Sequence, residues 1–216
     1  MTDPELRITE IFYSLQGETR TVGLPTVFVR LTGCPLRCGY CDTEYAFHGG
    51  ERRSLAQVLA EVEQYAPRYV TVTGGEPLAQ KACLPLLTAL CDRGYEVSLE
   101  TSGAISLEGV DARVVKVMDL KTPGSGEMHR NLYTNIPLLG SADQVKFVIC
   151  DRDDYQWARL QMDRFELAGR VGEVLFSPSF GQQDATELAE WILADRLNVR
   201  LQLQLHKLLW ADAPGH

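Results

Sequence analysis

The chain has 216 residues, of which 45% are hydrophobic and 23% charged, and its 21 basic and 29 acidic residues give a formal net charge of −8. This composition is typical of a soluble globular protein, and the sequence shows neither the roughly 20 consecutive apolar residues of a membrane-spanning helix nor a secretory signal. The negative charge opposes binding to a nucleic-acid backbone, so we expect a cytoplasmic protein that acts on a small molecule, with no direct nucleic-acid or membrane partner.

Strand and helix patterns alternate along the chain. Runs of β-branched and aromatic residues predict strands at residues 26–32, 68–73, 95–100, 113–120, 144–150, 172–177 and 199–205. A first helix is predicted to start at Ser54, which fits a capping box with Gln57, and a second helix to end at Gly94. Two more helices are predicted near residues 153–167 and 184–196.

This alternation predicts an α/β fold with a parallel sheet and right-handed crossovers, in which about six units curl toward an open barrel. Residues 101–112 and the Gly- and Pro-bearing stretch 121–143 lack periodicity and are predicted to be loops. Some helices are therefore replaced by loops, which leaves an incomplete (β/α)6-type partial barrel. The length fits one domain over residues 1–216.

Polar segments follow four of the predicted strands. The cysteines follow residues 26–32, GGEP (74–77) follows 68–73, TSG (101–103) follows 95–100, and KTPG (121–124) follows 113–120. In parallel sheets the ligand binds beyond the carboxyl ends of the strands. We therefore expect the four segments to converge on one site.

Three cysteines lie within GCPLRCGYCDTEY, residues 33–45. Thiolates bind soft metals, and the C-x3-C-x2-C spacing of Cys34, Cys38 and Cys41 suits a 4Fe-4S cluster with three protein ligands and one open iron. Two alternatives remain: a zinc site with His48 as fourth ligand, and a redox pair of Cys38 and Cys41 that leaves Cys34 without a role. The other cysteines lie in apolar segments and are predicted to be inert core thiols: Cys83, Cys91 and Cys150.

The cysteine loop, with Tyr40 before the last cysteine, resembles that of the radical S-adenosylmethionine (SAM) superfamily. TGGEP at residues 73–77 is similar to the superfamily motif that contacts the amino group of SAM. Further segments resemble one of its families, the 7-carboxy-7-deazaguanine synthases: EIFYSLQGE (10–18), VFVRLTGC (27–34), CDT (41–43), LETSG (99–103) and LQLHK (203–207). They occur in this order across nearly the whole chain.

This resemblance implies an enzyme that converts 6-carboxy-5,6,7,8-tetrahydropterin to 7-carboxy-7-deazaguanine with loss of ammonia, in the biosynthesis of queuosine, a tRNA modification, and of related 7-deazapurines. The implied cofactors are a 4Fe-4S cluster, SAM and Mg²⁺. SAM is cleaved to a radical that removes hydrogen from the pterin, and SAM is regenerated afterwards. The resemblance also implies a homodimer and an electron donor such as flavodoxin or ferredoxin.

The resemblance assigns a role to individual residues. The substrate contacts are Leu15, Gln16, Gly17, Arg30 and Thr73, with Arg30 on the substrate carboxylate. The SAM contacts are Tyr40, Cys41, Asp42, Gly75, Asp119, Leu120, Lys121, Ser177, Pro178, Ser179 and Phe180. The cluster ligands are Cys34, Cys38 and Cys41, and the magnesium ligand is Thr43. Glu100 is a candidate catalytic residue, and Thr101 and Ser102 follow it at the strand end.

Three of these residues have simpler alternatives. Arg30 can be a strand-end arginine in a surface ion pair, Thr43 can make a local hydrogen bond from its side chain to the backbone, and Glu100 can form a strand-end salt bridge. Other readings of the whole chain are an activase that generates a glycyl radical on another protein, and a zinc-stabilised interaction module without catalysis.

The chain departs from the family pattern in two places. Thr19 follows Glu18 where family members often have glycine, so the loop over the pterin is expected to differ in shape. The chain also continues beyond Lys207, and Asp212 in this extension is a possible substitute for the terminal carboxylate that shorter members place near the substrate.

Overall fold

A computed structural model of the chain describes residues 4–211, 213 and 215, so Asp212 lies outside the described residues. The strands are β1 (Glu5–Leu15), β2 (Pro25–Leu31), β3 (Glu51–Ser54), β4 (Tyr69–Gly74), β5 (Glu96–Thr101), β6 (Val115–Asp119), β7 (Gln144–Ile149), β8 (Glu173–Pro178) and β9 (Arg200–Leu201). The helices are α1 (Leu55–Gln64), α2 (Cys83–Asp92), α3 (Arg152–Arg164), α4 (Leu167–Arg170), α5 (Ala185–Ala194) and α6 (Leu205–Trp210).

The strands form one open sheet in the order β3-β1-β2-β4-β5-β6-β7-β8-β9. Neighbouring strands from β2 through β4 to β9 are parallel, whereas β1 is antiparallel to both β2 and β3. The parallel strands follow chain order, so every crossover steps in the same direction, as in a barrel rather than a doubly wound sheet. The predicted incomplete (β/α)6-type partial barrel is therefore confirmed, with an open sheet.

Side chains along each strand point alternately to the two faces of the sheet, and one face forms the core while the other lines the site. Val27 and Val29 of β2 and Val72 of β4 are fully buried in the hydrophobic core. Arg30 and Thr73 come next in these strands and line a cavity on the other face. Because successive strand side chains point to opposite faces, each strand contributes to both the core and the site.

Residues close in the sequence account for where α1 begins and where α2 ends. Ser54 caps α1, since its hydroxyl accepts from the Gln57 N–H while the Gln57 side chain accepts from the Ser54 N–H. This is the predicted capping box. Gly94 follows the end of α2 with a φ of 83°, a left-handed conformation that glycine adopts without strain.

Three of the secondary-structure predictions need correction. Strands β1 and β3, which add the antiparallel edge to the sheet, are not among the predicted strands. The helix predicted at 153–167 ends at Arg164 and is followed by the separate α4. The strand predicted at 199–205 is wrong beyond Leu201, because the chain leaves the sheet there and α6 begins at Leu205.

The two stretches predicted to be loops contain no α-helix, and 121–143 holds short 3-10 turns. Cys83 and Cys91 are buried in the core as predicted, whereas Cys150 is only half-buried at the end of β7. Among the residues described, no helix combines the length and apolar character needed to cross a membrane.

Candidate active site

A cavity of about 720 Å³ lies at the carboxyl ends of the parallel strands. It is lined by most of the residues to which the sequence analysis gave a role: Leu15, Gln16, Gly17, Arg30, Cys34, Cys38, Tyr40, Cys41, Asp42, Thr43, Thr73, Gly75, Glu100, Asp119, Lys121, Ser177, Pro178, Ser179 and Phe180. Leu120 is the exception, because its side chain is packed in the hydrophobic core and does not line the cavity. The four strand-end segments thus meet at one place, as expected from the parallel sheet.

The three cysteines of the loop after β2 form one part of this lining. Each thiol is half-buried, and the Cys41 N–H donates to the Cys38 carbonyl at 3.1 Å. Burial raises the pKa of all three thiols, that of Cys38 to about 11. The thiols are therefore protonated without metal, and binding of a metal centre must release their protons.

The three thiols line the same cavity. In the described part of the chain no three Cys, His, Asp or Glu side chains surround one metal position. His48 is exposed and does not line the cavity, so the structure does not support a zinc site with this residue as fourth ligand. In a 4Fe-4S cluster each thiolate binds a different iron, so the three sulfurs do not have to surround one metal position.

Two glycines allow the β4 end to approach the cysteine loop. A Cβ atom on Gly75 would lie 2.4 Å from the carbonyl oxygen of Gly33 and 2.7 Å from Cys34 Cβ. Gly74 has a φ of 148°, and a Cβ there would lie 2.1 Å from the Leu31 carbonyl oxygen. Both positions therefore require glycine, which explains the pair in GGEP.

Glu76 braces the ends of β4 and β5 from below the cavity. Its carboxylate is fully buried and accepts hydrogen bonds from Thr101 Oγ1 at 2.9 Å and the Ser102 N–H at 2.7 Å. The Leu78 N–H donates to it at 3.0 Å. Glu76 does not line the cavity, so its role is to position the two strand ends.

Arg30 belongs to a row of side chains at one level of the sheet. It lies opposite Glu10 of β1 and beside Thr73 of β4. Its Nε donates to Glu10 at 2.7 Å, and its guanidinium lies 5.7 Å from the Phe12 ring centroid and 5.8 Å from that of Tyr45. Within the described residues its terminal nitrogens donate no hydrogen bond. The ion pair considered as an alternative exists, but it holds Arg30 at the cavity and leaves the guanidinium fork available.

Glu100 continues this row on β5. It accepts from Thr73 Oγ1 at 3.2 Å and from Gln16 Nε2 at 3.2 Å. It forms no ion pair within 4.0 Å among the described residues, so the alternative of a strand-end salt bridge is wrong. Burial, followed by the negative charge of Glu18, raises the pKa of Glu100, which therefore binds a proton more readily than an exposed glutamate.

The Gln16 side chain is committed to the protein rather than free. Its amide donates to Thr71 at 3.1 Å as well as to Glu100, and its oxygen accepts from the Glu18 N–H at 3.1 Å. Gln16 is buried, and its backbone pairs with Leu24 and Gly23 across the loop after β1. The amide orients Glu100 and closes the loop over the cavity end of the sheet.

Asp42 and Thr43 place two oxygen donors beside the cysteine loop. Thr43 Oγ1 donates to Asp42 Oδ1 at 2.8 Å, which is a bond between two side chains rather than the side-chain to backbone bond considered as an alternative. Burial opposes ionisation of Asp42, but the Lys207 ammonium and hydrogen bonds from Thr43 and Gln204 lower its pKa to about 2. Asp42 is therefore anionic at neutral pH.

Asp119 and Lys121 form a buried pair below Tyr40. Lys121 Nζ lies 2.8 Å from Asp119 Oδ2 and 5.7 Å from the Tyr40 ring centroid. Burial opposes ionisation of Asp119, but Lys121 and Lys146 hold its pKa below its ordinary value. Asp119 Oδ1 is buried without a hydrogen-bond partner among the described residues. The site thus keeps one unused anionic acceptor at a position assigned to SAM.

The chain after β9 contributes residues that the sequence analysis left without a role. Gln204 Nε2 donates to Glu18 Oε1 at 2.8 Å and to Asp42 Oδ2 at 3.1 Å. Lys207 Nζ lies 3.3 Å from Asp42 Oδ2 and 4.8 Å from the ring centroid of Phe180. This segment therefore connects the loops after β1, β2 and β8 across the cavity.

Other unassigned residues of the lining include the ionisable side chains of Glu18, Lys146 and His206. Lys146 forms an ion pair with Glu18, and a Cβ atom on Gly17 would lie 2.2 Å from His206 Nδ1. Burial lowers the pKa of His206, so its imidazole is neutral at pH 7. Two of these residues had a signal in the sequence. Lys146 is the lysine that interrupts the apolar run QVKFVI of β7, and His206 lies in the segment LQLHK.

Similarity to known proteins extends over nearly the whole chain. Residues 28–119 match the radical SAM superfamily. The chain is 45% identical to the 7-carboxy-7-deazaguanine synthase of Koribacter versatilis, over 95% of this chain and 97% of that protein. It is 44% identical to the enzyme of the same name from Chlorobaculum tepidum, over 99% of each. The crystal structure of QueE from Escherichia coli has a TM-score of 0.75 to this chain at 25% identity, and the match covers 94% of this chain and 95% of that one.

Proposed function

The chain belongs to the 7-carboxy-7-deazaguanine synthase family of radical SAM enzymes, and on this premise we propose that it converts 6-carboxy-5,6,7,8-tetrahydropterin to 7-carboxy-7-deazaguanine with loss of ammonia. The observation that carries this proposal is the presence of Arg30, with its terminal nitrogens available, in the same cavity as Cys34, Cys38 and Cys41. A guanidinium fork matches a carboxylate with two parallel hydrogen bonds. The cavity thus combines an anchor for a carboxylated substrate with ligands for a cluster.

In this proposal Cys34, Cys38 and Cys41 hold a 4Fe-4S cluster. When bound, the cluster and SAM supply the radical chemistry, and the protein orients the reactants and excludes water. The SAM contacts are Tyr40, Cys41, Asp42, Gly75, Asp119, Leu120, Lys121, Ser177, Pro178, Ser179 and Phe180. The unused Asp119 Oδ1 supports this position, since SAM carries hydroxyl groups that can donate to it.

The substrate contacts are Leu15, Gln16, Gly17, Arg30 and Thr73. Because the Gln16 amide is bonded to Thr71 and Glu100, its proposed contribution is through the orientation of Glu100. Glu100 is the candidate for holding or moving a proton. Its raised pKa and its place in the row with Arg30 and Thr73 support this role.

We propose Thr43 as a ligand of Mg²⁺, a hard cation that takes oxygen ligands and keeps several positions for water and substrate. Thr43 Oγ1 and Asp42 Oδ1 are 2.8 Å apart at the edge of the cavity, and the pKa of Asp42 keeps its carboxylate anionic. Four further points remain predictions. The protein is cytoplasmic, it forms a homodimer of single radical SAM domains, it receives electrons from a flavodoxin or ferredoxin, and its product supplies queuosine biosynthesis.

The test is an anaerobic assay of the reconstituted protein with SAM, a reductant, Mg²⁺ and 6-carboxy-5,6,7,8-tetrahydropterin. We expect the deazaguanine product by mass spectrometry, with the amount of product falling when Mg²⁺ is chelated. A brown protein that contains iron and sulfide but forms no product would contradict the proposed substrate. A colourless protein with one bound zinc would contradict the cluster itself.

A further inference from the structure

A loop outside the cavity lining, Thr122–Glu127, packs against the cysteine loop; we call it the bracing loop. The Arg37 N–H donates to Glu127 Oε1 at 2.6 Å, and the Gly39 N–H donates to the Ser125 carbonyl at 3.1 Å. Arg37 and Gly39 are the two neighbours of Cys38. The backbone on each side of the middle cysteine is therefore fixed by the bracing loop.

The bracing loop is held in turn by one buried carboxylate. Asp154, in the first turn of α3, is 1% exposed and accepts from the Gly124 N–H at 2.7 Å and from Thr122 Oγ1 at 2.9 Å. It also accepts from the Cys150 N–H at 3.0 Å. A Cβ atom on Gly124 would lie 2.5 Å from Asp154 Oδ2, so glycine permits this approach. A carboxylate can accept all three bonds at once because it presents only acceptors.

The Asp154 carboxylate is not needed to cap its own helix. Asp151 is the N-cap of α3, and its Oδ1 accepts from the Asp154 N–H at 2.9 Å. Asp154 also does not line the cavity and, among the described residues, forms no hydrogen bond with a residue assigned to substrate or SAM. The hydrogen bonds that the Asp154 carboxylate accepts therefore come from the bracing loop and from the end of β7.

We propose that Asp154 is a positioning residue for the iron–sulfur cluster. It fixes Thr122 and Gly124, these fix the bracing loop, and the bracing loop fixes the peptide groups on both sides of Cys38. This inference rests on the proposed function, because it takes Cys38 as a cluster ligand. Residues of this kind, which orient the ligands of a metal centre without binding it, strongly affect how tightly the centre is held.

The test compares Asp154→Asn with Asp151→Asn. Both variants remove one negative charge from the start of α3, but asparagine remains a good N-cap at position 151. At position 154 the amide nitrogen would face the N–H of either Gly124 or Cys150, so at least one of the bonds that the carboxylate accepts is lost. We expect Asp154→Asn to release its iron to a chelator about tenfold faster than wild type, and Asp151→Asn to match wild type.

Hydrogen exchange of the cluster-free protein gives a second readout that does not depend on activity. We expect peptides that contain Arg37–Tyr40 to exchange faster in Asp154→Asn and at the wild-type rate in Asp151→Asn. If Asp154→Asn matches Asp151→Asn in both measurements, the inference is wrong. If wild type takes up no cluster, the proposed function fails, while the exchange measurement still decides the role of Asp154.

A second pair of variants covers the case in which Asp154→Asn does not fold. Thr122→Val removes, at similar volume, the hydroxyl that lies 2.9 Å from both Asp154 Oδ2 and the Val148 carbonyl oxygen, whereas Thr122→Ser keeps it. We expect faster iron release from Thr122→Val and rescue in Thr122→Ser. Equal release from the two variants would overturn the proposed connection.

Discussion

Arg30 binds Glu10 through Nε, and this contact sets the direction of the remaining guanidinium nitrogens. Glu10 also accepts from the Tyr45 hydroxyl at 2.8 Å, so one carboxylate holds both the arginine and an aromatic ring beside it. The guanidinium is thus oriented before a ligand binds. Such preorganisation reduces the entropy lost on binding.

We expect Arg30→Lys to raise the KM for the carboxylated pterin at least tenfold, because an ammonium keeps the charge but loses the planar fork. Cluster content should not change. The measurement is steady-state kinetics of the reconstituted enzyme, with Arg68→Lys as a matched control in an exposed arginine that pairs with Glu96. Unchanged kinetics in Arg30→Lys would exclude bidentate recognition by Arg30.

Glu100 gives a prediction for the pH dependence of stability. Its pKa is raised above the ordinary value of 4.5, so the folded state binds the proton more tightly than the unfolded state. The stability that this provides is complete below pH 4.5 and is lost as pH rises through the raised pKa. We expect the free energy of unfolding of wild type, relative to Glu100→Gln, to fall as pH rises from 4.5. Urea unfolding across this range measures it, and a constant difference would refute the raised pKa.

At the scale of elements, the ends of β4 and β5 are joined by Glu76 as well as by backbone pairing. We expect Glu76→Gln to lower the free energy of unfolding by about 1–3 kcal/mol, because the new amide nitrogen would face donors from Thr101 and Ser102. Urea unfolding measures the change. The exposed Glu96→Gln is the control, and equal stability of the two variants would show that the brace is dispensable.

The segment after β9 acts on the cysteine loop through Lys207 and Asp42. The interactions that lower the pKa of Asp42 from 3.8 to about 2 stabilise the folded state above pH 3.8. This contribution is lost as pH falls toward 2. We expect Lys207→Met to be less stable than wild type above pH 3.8, with a difference that shrinks as pH falls. The exposed Lys81→Met is the control. A difference that persists unchanged at low pH would assign the effect to packing on Phe180 instead.

At the scale of the whole molecule, a cluster bound only by the folded chain stabilises every element linked to its loop. We expect anaerobic reconstitution to raise the midpoint of thermal unfolding of wild type. Cys38→Ala should show no such rise, whereas Cys91→Ala, which alters a core thiol, should show it from a lower starting midpoint. A rise of equal size in Cys38→Ala would remove Cys38 from the ligand set.

The fold was predictable from the sequence where short-range patterns decide. The parallel strands, the capping box of Ser54 and Gln57, and the loop character of 121–143 all depend on residues close in the chain. The prediction failed at β1, β3 and the end of the 199–205 run. Whether those residues pair with a neighbouring strand depends on distant parts of the chain.

By itself the sequence determined the spacing of the three cysteines, the glycine pair before Glu76 and the order of strands that brings their ends to one edge. Only the tertiary structure decided which side chains face each other across the cavity. Gln204 reaches Asp42 across 162 positions, Lys146 reaches Glu18 across 128, and Asp154 reaches Gly124 across 30. Such contacts leave no periodic trace in the sequence, because the folded sheet and its loops, rather than chain proximity, bring the partners together.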